Sequence, residues 1–140
     1  MIAKNKSKAA EEKARQSLGT YQAISPDNKY FWATPMRTLG EILTKTGRLP
    51  EGQDYYQRAL TIYEQQPTRN HLRIIRVKLL LSQSLLAQNR LAQAERLAIE
   101  ARDEAQQHLG EENPTAKAAA TNLAKLYEKE GKREAAQTVR

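Results

Sequence analysis

The residues of this 140-residue chain with the widest chemical reach are its two histidines, His71 and His108. His71 stands where one helix should start, and His108 ends the antiparallel helix that follows, so the two rings can lie close. With Glu111 or Glu112 they could form a metal pair, because transition metals favour imidazole and carboxylate ligands. A plain helix-entry role for His71 is the simpler reading. The remaining inventory for catalysis is poor. Three aspartates and no cysteine are present, which excludes a disulfide framework, a thiolate zinc site and a thiol nucleophile. No glycine-rich phosphate loop, H-E-x-x-H pair or nucleophile elbow occurs. Asn5-Lys6-Ser7 fits a glycosylation triplet, a pattern too common to carry weight. These residues predict no catalytic site, no cofactor and no metal: a binding protein, not an enzyme.

Charge is the next candidate for function. The net charge of +7 could attract an anionic partner. It is spread as +3 over residues 1–30, +1 over 31–70, +2 over 71–108 and +1 over 109–140. Most cations alternate with acids, as in Glu128-Lys129-Glu130, which reads as a solvated helical surface. No run of about 18 apolar residues exists, so no membrane span is expected. The opening MIAKNKSKAA lacks the apolar segment of a signal peptide, which leaves the cytoplasm as the default location.

What positions these side chains is a repeat of 42 residues. Small residues recur at Ala10, Gly52, Ala94 and Ala136. Leu39, Leu81 and Leu123 keep the same register, each followed by a small residue at Gly40, Ser82 and Ala124. A larger apolar residue comes four places after each leucine, at Leu43, Leu85 and Tyr127. Turn residues fall at Gly47, Asn89 and Gly131. A fixed period of this length marks stacked units that bury their apolar faces against one another. Within each period the apolar spacing of three and four is helical. Turn signals divide each period into an A helix and a B helix, and longer breaks at 25–28, 66–70 and 110–114 separate the periods.

The expected helices are 7–23, 33–46, 50–65, 71–88, 92–108, 114–130 and 133–139. The fold class is all-α, an α-solenoid of antiparallel helix pairs in a single domain over 1–140. Its parts are an N-terminal half repeat (7–23), repeat 1 (33–65), repeat 2 (71–108) and a truncated repeat 3 (114–140). Across each tight turn Gly40, Ser82 and Ala124 face Gly52, Ala94 and Ala136, which lets the paired backbones approach closely. Tyr55, Tyr56, Tyr63 and Tyr127 are expected to fill space between pairs. Trp32 either staples the first helix to the stack or serves as an exposed anchor.

These elements resemble the tetratricopeptide repeat family, in its 42-residue kinesin-light-chain-like form. The segment LGEENPTAKAAATNLAKLYEKEGKREAAQ, residues 109–137, is similar to the family's loop, N-L-A–x–L-Y helix and G-K–x–x–E-A turn. The stretches LLLSQSLLAQNRLAQAERLAIEA and TLGEILTKTGRLPEGQDYYQRALTIY keep weaker versions. The resemblance implies a right-handed α-solenoid whose A helices line a concave groove that grips a peptide or helix of a partner protein. The family's paired asparagines correspond here to Thr121-Asn122, to Arg37-Thr38 and to Leu79-Leu80, so only Asn122 keeps an amide for a peptide backbone. The lysine–asparagine clamp for free C-termini is not reproduced.

In that phase the groove would present Thr34, Arg37, Thr38 and Glu41, then Arg76, Leu79, Gln83 and Leu86, then Thr121, Asn122, Lys125 and Glu128. Leu79 and Leu86 share a helix face. Either both are buried by neighbouring helices, or they form an apolar strip rimmed by Arg37, Arg76 and Lys125. If they line a groove, Leu79→Asp spares the fold and abolishes binding; a stability loss above about 3 kcal/mol would mark a core residue instead.

The short last helix suggests a piece of a longer array, or a stub that docks on a second copy to give a homodimer through the C-terminal helices. The leading function is a protein–protein scaffold. The alternatives are a basic helical-repeat module binding nucleic acid and a regulatory segment of a larger signalling enzyme.

Overall fold

The computed structural model describes residues 2–140, with side chains from residue 6 onward, so the Asn5 side chain of the glycosylation triplet lies outside the described residues. Among these residues the chain forms seven helices and no strand: α1 (Ile2–Ile24), α2 (Tyr30–Lys45), α3 (Leu49–Glu64), α4 (His71–Ala87), α5 (Leu91–His108), α6 (Pro114–Lys129) and α7 (Arg133–Val139). None is long and apolar enough to cross a membrane. Two compact units result. The first ends at Arg69 and holds α1–α3; the second, Asn70–Arg140, holds α4–α7. The helix starts differ from expectation in unit one. α1 begins at Ile2 because Ala, Lys and Asn there supply no stop, and α2 begins at Tyr30, where Asn28 Oδ1 accepts the Tyr30 N–H at 3.2 Å. Pro35 is therefore inside α2 and not in its first turn.

The tight turns are copies of one another. Gly47, Asn89 and Gly131 have φ values of 83°, 61° and 80°. The following N–H of Arg48, Arg90 and Lys132 donates to Leu43, Leu85 and Tyr127 O at 2.8, 2.9 and 2.8 Å. This six-to-one bond closes a helix only where the preceding residue takes the left-handed conformation, which favours glycine or asparagine. Helix starts are fixed as the spacing predicts by Asn70, which accepts from Arg73 N, and Asn113, which accepts from Thr115 N.

Small residues then set the packing. In the first unit α2 and α3 meet at Gly40 and Gly52, where an added Cβ on Gly52 would sit 2.9 Å from Gly40 O. In the second unit Ser82 Oγ donates to Ala94 O at 2.8 Å across the same crossing. Leu39, Leu81 and Leu123 are buried at the equivalent places, with exposures of 0, 1 and 0%. Tyr56 and Tyr63 are core residues, and burial pushes the Tyr56 phenol up to about 12. Tyr55 and Tyr127 are only half-buried. Cations cover them instead: Arg15 and Arg58 over Tyr55, and Lys132 over Tyr127.

Candidate functional site

The A helices carry the candidate partner-binding residues, and the two units place them separately. On α2, Thr34 is exposed and its hydroxyl lies 3.3 Å from the Tyr63 hydroxyl. Arg37, Thr38 and Glu41 are half-buried, and Arg37 Nη1 pairs with Glu41 at 3.2 Å. That pair is internal to one helix, so both charges are partly spent on each other.

In the second unit α4 and α6 pack against one another. Leu79 is 7% exposed and belongs to a cluster with Ile75, Ala101, Ala105 and Ala119. Of the two readings open for it, the structure gives the core. Leu86 is half-buried, so no continuous apolar strip joins the two leucines. Asn122 is buried as well. Its Nδ2 donates to Ser82 Oγ at 3.3 Å, and Ser82 in turn donates to Ala94 O. The amide expected to meet a peptide backbone is thus spent inside, where it ties α6 to α4 and, through Ser82, to α5. Arg76, Gln83, Thr121 and Lys125 remain exposed on these two helices. Among the described residues, Arg76 and Lys125 are not drawn into an ion pair.

A second cluster lies between α4 and α5. His71 and His108 stack face to face, with centroids 3.6 Å apart and planes 7° from parallel. The carboxylate that reaches them is Glu104, not Glu111 or Glu112: its Oε2 lies 2.7 Å from His71 Nδ1. Glu104 also lies 3.8 Å from the buried Lys78 ammonium, which pairs with Glu100 at 3.3 Å. Among the described residues no group of three or more His, Asp or Glu is arranged to hold a metal ion. The cluster acts as an ionic plug: it satisfies a lysine that the α4 core would otherwise leave as an uncompensated charge. Sequence reasoning placed the two rings together but missed Lys78, Glu100 and Glu104. The available signal was a lysine inside an apolar run, opposite two acids four residues apart on the next helix.

Trp32 is half-buried, and its Nε1 donates to Ser25 O at 3.2 Å, which ties the α1–α2 turn to α2.

Comparison with known proteins follows this geometry. A family model described as tetratricopeptide repeat matches residues 33–103. No curated protein gives a significant match. Among solved structures, the chain is similar to BtubC (BKLC) from P. vanneervenii, with a TM-score of 0.77 and 16% identity over 95% of this chain and 54% of that one. It is also similar to a Podosopora anserina kinesin light chain with nearly identical TPR-like repeats. There the TM-score is 0.78 and the identity 18%, over 99% of this chain and 65% of that one. This chain thus spans only about half to two thirds of either structure. At such identities the likeness concerns the fold, an all-α solenoid of helix pairs.

Proposed function

The chain belongs to the tetratricopeptide repeat family, and from that membership we propose that it is a non-catalytic scaffold holding a peptide or helix of a partner protein on the open side of α4 and α6. The observation that carries this reading is the division of labour on those two helices. Leu79 and Asn122 are committed inward, while Arg76, Gln83, Thr121 and Lys125 stay outside with Arg76 and Lys125 free of ion pairs. Pre-organised helices with uncommitted polar side chains bind without ordering themselves first, which lowers the entropic cost of association. Leu86, half-buried beside them, supplies a modest apolar contact.

Selection of peptides from a random library on the immobilised full chain tests it. Selected peptides should lose at least tenfold in affinity when Arg76→Glu and Lys125→Glu are combined, with helical circular dichroism unchanged. Peptides that bind both proteins equally would move the site elsewhere. The same double variant tested against duplex DNA separates a protein groove from a phosphate-binding surface.

A further inference from the structure

Between α2 and α3, away from the residues above, the first unit has an open cleft of about 310 Å³. Its floor is apolar: Met36 and Ile62 are 5 and 6% exposed, and the half-buried Trp32 ring lies beside them. Two cations stand at its edge. Lys29 Nζ sits 5.9 Å from the Trp32 ring centre, and Arg58 projects from α3. No acidic residue lines it.

The repeat shows what is particular about this place. Moved on by 42 residues, Lys29, Met36, Arg58 and Ile62 become His71, Lys78, Glu100 and Glu104. In the second unit those four side chains close on one another through ion pairs and fill the helix-pair groove from within. In the first unit the same four positions hold two apolar and two cationic residues. These cannot neutralise each other, and the groove stays open.

The geometry points to a ligand site here for a small amphipathic carboxylate, with an apolar body of about eight to ten carbons on Trp32, Met36 and Ile62 and its charge between Lys29 and Arg58. The volume is at the lower end for small-molecule sites. A cleft of about 310 Å³ takes a compact molecule and not a long segment. Asp54, outside the lining, pairs with Arg58 at 3.0 Å, but both side chains are more than half exposed, so the guanidinium can serve a carboxylate as well. This site is independent of the α4–α6 surface proposed above.

Trp32 is the chain's one tryptophan, so its emission reports directly on the cleft. The full chain, excited at a wavelength selective for tryptophan, is titrated with octanoate and separately with octylammonium. The expected result is a saturable blue shift with octanoate and at least tenfold weaker binding of octylammonium. Lys29→Glu combined with Arg58→Glu should weaken octanoate at least tenfold. Thr61→Phe, at an exposed lining position, should abolish the response while helical circular dichroism is kept. A response that never saturates, that is equal for the two ions, or that survives Thr61→Phe would overturn the assignment.

Discussion

Gly40 is where a single atom decides the packing of a helix pair. A Cβ built there would lie 2.6 Å from two Tyr56 ring carbons and 3.1 Å from Gly52 O. Tyr56 is 2% exposed, so its ring is held inside the core. On helix propensity alone, alanine in place of glycine should stabilise by about 1 kcal/mol. Overpacking reverses the sign, and Gly40→Ala is expected to lower the unfolding free energy by about 1–3 kcal/mol in urea titration. Gly19 in α1 is the internal control, since nothing lies within 4 Å of its added Cβ. Gly19→Ala should stabilise by about 0.5–1 kcal/mol. Equal effects at the two positions would refute the close-approach account. The sequence reveals the small residue at 40, because 82 and 124 are small too. It does not reveal the tyrosine ring that enforces it, since Tyr56 corresponds to Ala98 in the next period.

At the level of elements, two of the three tight turns also carry a cation that reaches the preceding B helix. Arg48 bonds Glu11 through both guanidinium ends, and Lys132 bonds Glu95 at 3.2 Å. The two pairs are the same contact two periods apart, which the numbers 11, 48, 95 and 132 make visible once the register is known. Sequence alone does not single them out, because charges on helical surfaces are commonly solvated. The Arg48 hydrogen bond, against an opposing effect of burial and with help from Arg15, holds the Glu11 carboxyl below its usual range. A carboxyl depressed in the folded state adds stability above its unfolded value and loses it as pH falls through the folded one. Wild type should therefore melt higher than Glu11→Gln at neutral pH. The two melting temperatures should converge as pH drops below the ordinary glutamate value of about 4.3. A constant gap down to pH 2 would show that the substitution acts through packing, not charge.

For the whole molecule, the 42-residue register made the fold legible, because leucine, small residue and turn residue must coincide for helix pairs to stack. The binding surface was less legible. Periodicity places Leu79 and Asn122 on an A helix but does not say whether the neighbouring helix covers them, and the structure spends both on the interior. Charge raises the same difficulty. A net +7 suggests an anionic partner until the cations are traced to their acids. Arg48 and Arg15 turn to Glu11, Arg37 to Glu41, Lys78 to Glu100, Lys117 to Glu112 and Arg140 to Glu128. At those cations a polyanion would have to compete with the carboxylates and would release few counterions in return. The expected affinity for random duplex DNA is correspondingly low, with a dissociation constant weaker than about 10⁻⁵ M at physiological salt and a log–log salt slope of no more than about 3. Fluorescence anisotropy over 50–200 mM salt measures both. A slope near 6 or above would mean that the ion pairs open to phosphate, and the protein-scaffold reading would give way to a nucleic-acid one.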